Sequence, residues 1–271
     1  MDFQQEGWDG FSLSTARALF AGLTMLGLAL YKRPLIFKRK EVVVSFLLGI
    51  FGYGLASLLL VIGIGHAGAV TVAIIVALVP VVSELMDILA NRKMIDLSLF
   101  ATVVLFLIGG LIASISDQEM ELTLGWGEML LLSSMILWVL YSRFSISLLS
   151  QSQPLGGYGL TMIAGSNGLL LATVAAGFFG DELKQDLSTD SIMSVLFLGI
   201  FSTGLSVLLW LRGARCLGTT TAGLHQNLVP AFVMFIMFVL GEGFHWRQGI
   251  GGLLVISGAV TAQLGRRENG M

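Results

Sequence analysis

Residues 48–80 read LGIFGYGLASLLLVIGIGHAGAVTVAIIVALVP, and residues 198–230 read LGIFSTGLSVLLWLRGARCLGTTTAGLHQNLVP. Aligned at a shift of 150 without a gap, the two share 14 identities over 33 positions. Apolar sequences share Leu and Val readily by chance. Chance does not supply Gly63, Gly68 and Thr71 opposite Gly213, Gly218 and Thr221, or a proline in register at 80 and 230. Each copy covers two apolar segments, and the copies lie five segments apart along the chain. An odd number of membrane crossings reverses direction, so the reading predicts inverted repeats, a recurring plan of secondary transporters. The other reading of the duplication is a scaffold without a transport role.

The composition places those segments in a membrane. Of the 271 residues 55% are hydrophobic and only 12% charged, with a mean hydropathy of +0.88. A soluble domain carries about twice that charged fraction. A soluble enzyme, a nucleic-acid binder and a disordered chain are thereby excluded. Cys216 is the single cysteine, so no intrachain disulfide forms. A helical span needs about 20 mainly apolar residues, and nine stretches qualify, at roughly 13–31, 42–65, 67–90, 96–115, 126–149, 156–179, 191–212, 218–241 and 248–265. They are continuously apolar rather than alternating, which argues against a barrel. The first is interrupted by Arg17, and the fifth by Glu128 and Arg143. The expected fold class is an all-α polytopic membrane protein of about nine helices in inverted repeats, with no room left for a soluble domain.

Charge placement sets the expected orientation. Lys32, Arg33, Lys38, Arg39, Lys40, Arg92, Lys93, Arg143, Arg212, Arg215, Arg266 and Arg267 fall on one side, 12 of the 15 basic residues. The other side is acidic, with Asp2, Glu6 and Asp9, then Asp117, Glu119 and Glu121, then Asp181, Glu182, Asp186 and Asp190. By the positive-inside rule the C-terminus is cytoplasmic and the N-terminus outside, in the cytoplasmic membrane. The N-terminus lacks the basic region and short apolar core of a signal peptide.

Several residues are candidates for contact with a solute. Pro80 and Pro230 fall near the middle of the third and eighth segments. There a proline frees carbonyls that either face a cavity or sit at a packing kink. His225, Gln226 and Asn227 precede Pro230, and three adjacent polar residues are costly in hydrocarbon unless they face protein or water. His225 is placed to titrate near neutral pH and couple a proton, or equally to bond between helices. Glu84 and Asp87 share a helix face and suggest a cation or proton site. Snorkelling or pairing with Arg92 or Lys93 is the alternative reading. Arg17 lies near the outer end of the first segment, suited to an anionic solute or to the outer headgroups. Tyr53, Trp138, Tyr141 and Trp210 are aromatic lining candidates, and Trp138 is too deep for an interface anchor. Ser57, Ser202 and Thr203 read as lining or as helix-packing residues alike. No His/Cys/Asp cluster has metal spacing, no nucleophile has a plausible base, and no cofactor motif is present.

Arg17, the two Leu-Val-Pro steps at 78–80 and 228–230, Gly241-Glu242, and Trp126-Gly127-Glu128-Met129 followed by Trp138 and Tyr141 together resemble the drug/metabolite transporter superfamily and, within it, the EamA-like permeases. The resemblance runs from Ser14 onward. It implies two five-helix inverted repeats around a central cavity, here 1–116 with four helices and 125–266 with five, the first family helix being absent. It further implies a small-molecule substrate, a lipid bilayer as surroundings, and a homodimer through the fourth and ninth segments, whose Gly109, Gly110, Ala113, Ser114, Gly258, Ala259 and Ala262 form small-residue faces. The function expected is transport of a small organic metabolite or drug-like solute by alternating access, with proton-coupled efflux through His225 or Glu84 as one mode. The alternatives are a membrane enzyme or lipid-handling protein, or a non-transporting fragment.

Overall fold

The computed structural model describes residues 7–32, 36–66, 72, 75, 78–91, 108, 125–149, 154–179, 183–226 and 239. Its elements are α1 (Gly10–Lys32), α2 (Arg39–Leu47), α3 (Leu55–His66), α4 (Val79–Asn91), α5 (Trp126–Leu148), α6 (Pro154–Phe178), α7 (Thr189–Phe197), α8 (Ser206–Leu217) and α9 (Thr219–Gln226). Two π-helical segments, Leu48–Gly54 and Leu198–Leu205, join α2 to α3 and α7 to α8 without a break. Among the described residues five rods are long and apolar enough to cross a membrane: Gly10–Tyr31, Arg39–His66, Trp126–Leu148, Pro154–Phe178 and Thr189–Leu217. They fall on the first, second, fifth, sixth and seventh expected segments, and the protein is helical through its described residues. Helices α4 and α9 fall on the third and eighth. The fourth and ninth, with their small-residue faces, lie outside the described residues apart from isolated positions.

Polar side chains start three of the helices. Asp9 caps α1, its Oδ1 accepting the N–H groups of Phe11 at 3.0 Å and Ser12 at 2.9 Å. The free N–H groups of a helix start, and the positive end of its dipole, both favour a carboxylate there. Glu128 does the same for α5, accepting the Gly125 N–H at 2.9 Å. Ser188 caps α7 by accepting from Ser191. Between α8 and α9 the chain turns at Gly218 with φ +85, a conformation that disfavours any residue with a Cβ.

The chain forms two compact units, residues 1–63 with 133–212 and residues 64–132 with 213–271. In the first, α1 and α6 run antiparallel: Thr15 and Thr173 share a hydrogen bond at 3.2 Å, while Gly22 lies against Gly159 and Ile163. The first π segment packs on α6 and the second on α1. Glycine explains where those segments fall. Gly49 and Gly54 press on Thr161, Ala164 and Gly165, and Gly199 and Gly204 press on Arg17, Phe20 and Ala21. Small residues let backbones approach this closely where no hydrophobic force drives helices together, and glycine also weakens the α-helical alternative. The inward face of α1 accordingly carries Ala18, Ala21 and Ala29, all buried, together with Met25, while Leu19, Leu23 and Leu30 face outward. An apolar outer surface of that kind is suited to lipid rather than water.

At one end of this unit the N-terminal residues meet the loop before α7. Trp8 and Gln185 form an isolated antiparallel bridge, Asp9 N–H donates to the Lys184 carbonyl at 2.9 Å, and Asp186 N–H donates to the Gly7 carbonyl at 2.8 Å. Trp8 Nε1 donates to the Asp186 carbonyl and to Ser191 Oγ. Two of the acidic stretches that charge placement assigned to one side thus sit together. In the second unit, α4 and α9 lie antiparallel, with Ser83 Oγ donating to Thr219 Oγ1 and Gly223 against Pro80.

Candidate functional site

Three segments of the first unit place four aromatic rings in one cluster. The rings are Tyr53 from the first π segment, Trp138 and Tyr141 one turn apart on α5, and Trp210 on α8. Ring centroids are separated by 6.3 Å for Tyr53–Trp138, 5.9 Å for Tyr53–Tyr141, 5.6 Å for Trp138–Tyr141 and 6.2 Å for Trp138–Trp210. All four distances fall in the range of favourable tilted and edge contacts, each stabilising by about 0.5–1.5 kcal/mol beyond area burial. Tyr53 and Tyr141 are buried, whereas the two indoles are only half-buried and leave part of their surface open.

Polar bonds fix the rings. Thr161 Oγ1 donates to the Tyr158 carbonyl at 2.8 Å. A threonine has one hydroxyl proton, so in the 2.9 Å contact between Tyr141 and Thr161 the phenol is the donor. By the same count Ser142 donates to the Trp138 carbonyl at 2.8 Å and accepts from Trp210 Nε1 at 2.8 Å. The Tyr53 hydroxyl bonds to Ser57 and lies within electrostatic reach of the Arg17 guanidinium.

Arg17 is the charge of the cluster. It sits seven residues past Gly10, about 10 Å along the axis of α1. Its Nε donates to Thr203 Oγ1 at 3.0 Å. Thr203 lies in the second π segment at the position that a shift of 150 pairs with Tyr53 in the first. The two π segments therefore bring equivalent positions to the same guanidinium. Among the described residues no carboxylate pairs with Arg17 and no group of three His, Cys, Asp or Glu is placed to hold a metal ion.

Of the ten main candidates named from sequence, four share this neighbourhood, Arg17, Tyr53, Trp138 and Tyr141, and Trp210 from the wider aromatic set joins them. Pro80 lies elsewhere, in the second unit. It occupies the first turn of α4, following a turn at Leu78 whose N–H donates to the Ile75 carbonyl at 3.1 Å, and Val72 and Ile75 before that turn are helical as well. A missing N–H is harmless in a first turn, and Gly223 lies against the proline ring's backbone. Glu84 in α4 and His225 and Gln226 at the end of α9 have backbones in the described helices but side chains outside the described residues, and Asn227 and Pro230 lie wholly outside them. Sequence reasoning missed Ser142 and Thr161, and took Thr203 as lining or packing without seeing its bond to Arg17. The signal available was its register with Tyr53.

Comparison with known proteins follows the same line. An uncharacterized transporter of Bacillus subtilis, YyaM, is 25% identical over 83% of this chain and 74% of its own length. An uncharacterized transporter of Archaeoglobus fulgidus is 27% identical over 72% of this chain and 65% of its own. The uncharacterized inner membrane transporter YicL of Salmonella typhimurium is 21% identical over 94% of this chain and 86% of its own. A crystal structure at 16% identity superposes with a TM-score of 0.73 over 96% of this chain and 89% of that one, which establishes likeness of fold. The model of the EamA-like transporter family matches residues 1–115 and 125–262. Helical rods of membrane length, apolar outer faces and a family match over nearly the whole chain agree, and the chain belongs to the EamA-like transporter family.

Proposed function

We propose that this protein moves a small organic solute across the cytoplasmic membrane by alternating access, and that the Arg17–aromatic cluster holds the solute. The family and the names of its relatives indicate a membrane transporter. The observation that carries the finer reading is the convergence of Tyr53 and Thr203 on Arg17. Two π segments in register at a shift of 150 are what an inverted duplication produces when its halves meet at a shared site. π-helical turns also occur frequently at functional sites, because they loosen a rod locally and re-aim its side chains. The half-buried indoles of Trp138 and Trp210 supply an apolar platform beside the charge.

His225 and Glu84 are the residues that would carry a coupled proton, since a membrane histidine or carboxylate titrates within reach of physiological pH when partly desolvated. In this reading the basic loops face the cytoplasm and the N-terminal clip faces outside. The test is flux in proteoliposomes bearing the full chain and loaded with a panel of labelled organic acids, amines and amides. Accumulation or release above protein-free vesicles, altered by an imposed pH gradient, is the expected result. No flux of any member in either direction overturns the reading.

A further inference from the structure

We infer that the solute group held at Arg17 is a carboxylate, so that the substrate class is a small organic acid carrying an apolar or aromatic body. The inference rests on the proposed binding role of the cluster and deepens it.

Arg17 has five N–H donors in a planar fork. Thr203 takes the Nε proton, which pins the plane of the guanidinium. The terminal nitrogens make no hydrogen bond among the described residues, and no carboxylate there neutralises the charge. The Thr203 hydroxyl, which accepts from Arg17, keeps its own proton with no further partner among the described residues. The neighbourhood therefore offers two terminal guanidinium nitrogens and a hydroxyl proton, all donors, side by side. Two planar N–H groups match the two oxygens of a carboxylate, and the charge-assisted pair is stronger than a neutral one.

The rings decide what lies next to that group. An aromatic cluster alone would suit a cation as well, through the negative faces of the indoles. Here the Arg17 guanidinium, held by Thr203, carries a positive charge with no carboxylate paired to it among the described residues, which disfavours a second cation. A neutral apolar body beside Trp138 and Trp210 meets no such repulsion. The ring centroids of 5.6–6.3 Å form a platform on the scale of one aromatic ring or a short branched chain.

The test uses three probes with one hydrocarbon body: 3-phenylpropionate, its amide, and 3-phenylpropylamine. Binding to the full chain in phosphatidylcholine nanodiscs is read from quenching of tryptophan fluorescence. The expected order is acid first, then amide, then amine, with Arg17→Gln weakening the acid at least about tenfold and leaving the amide within about twofold. Arg17→Lys keeps the charge without the fork, and should retain part of the preference for acid over amide. Thr203→Val, which frees the guanidinium to move, should weaken the acid by a smaller factor. It serves as the second reporter should Arg17→Gln fail to fold. The inference is overturned if the amine binds more tightly than the acid, if no probe binds, or if the acid binds the Arg17→Gln protein unchanged, as it would were Arg17 engaged only with lipid phosphate. Flux in proteoliposomes separates this from the transport reading: acid binding without flux removes transport and keeps the anion site, whereas flux of the amine alone does the reverse.

Discussion

A single methyl group distinguishes the glycines that matter from those that do not. A Cβ at Gly49 would overlap the Thr161 carbonyl oxygen and the Ala164 side chain, and backbone cannot yield as a flexible side chain does. Gly49→Ala is therefore expected to destabilise by about 1–3 kcal/mol, the cost of overpacking, seen as a lower unfolding temperature in detergent. Gly27 on α1 has open space around its would-be Cβ. Gly27→Ala should be neutral or stabilise by up to about 1 kcal/mol, because alanine favours the helix. If both variants melt alike, the close contact between the π segment and α6 is wrong. At the clip between the N-terminal residues and the loop before α7, the Ser188 hydroxyl and N–H both donate to Asp186 at 2.7 and 2.9 Å, and they hold its carboxyl below the usual carboxylate range. A depressed folded value means that the group stabilises the fold above its unfolded value, and that this stabilisation fades as pH falls through the folded one. Ser188→Ala should thus move the Asp186 titration upward toward that of a free aspartate, as read by carboxyl NMR. An unmoved titration would remove the hydroxyl as the cause. The residue types at these positions were legible in sequence, but their partners were not, since Arg17 and Thr203 are 186 positions apart.

The elements with the most consequence are the two π segments. A π turn carries its side chains around the axis differently from an α turn, and here it brings Tyr53 and Thr203 toward α1 and α6. Deleting Gly52 should let the Arg39–His66 rod close as ordinary α-helix, re-aiming Tyr53 relative to Arg17. The expected result is an α-helical circular dichroism spectrum indistinguishable from the parent, with probe binding weakened at least about tenfold, the loss of roughly one charge-assisted contact. Retained binding would mean that the π geometry does not position the site. Sequence periodicity found the rod readily, because a continuous apolar run of that length is a spanning helix whatever its inner hydrogen-bonding. The bulge left only a faint mark, glycines five apart at 49 and 54 and again at 199 and 204. Likewise, Glu128 and Arg17 weakened the fifth and first segments as sequences, yet Glu128 caps α5 and Arg17 donates its Nε proton across to Thr203.

On the scale of the molecule, the positive-inside reading predicts which ends face the cell. Cys216 is exposed near the end of α8, beside Arg212 and Arg215. A membrane-impermeant maleimide should leave it unlabelled in intact cells and label it after permeabilisation. A cysteine placed at exposed Lys184, in a Cys216→Ser background, should label without permeabilisation. The opposite pattern would invert the proposed topology. No new fold is needed for this experiment, because both sites are at the surface of described loops and helix ends.

Composition, apolar run length and the placement of basic residues were enough to determine an all-helical membrane protein, because hydrocarbon leaves few ways to satisfy a backbone and each is written locally along the chain. The repeat at a shift of 150 was legible for the same reason: it is a property of the linear sequence. The tertiary structure decided the neighbourhoods. Only packing could show that four aromatic residues from three segments form one cluster, or that Arg17 is bonded to Thr203. Those facts depend on which distant residues meet, and in a bilayer, where nearly every helix face is apolar, the choice of partner rests on small-residue contacts that sequence pattern alone does not rank.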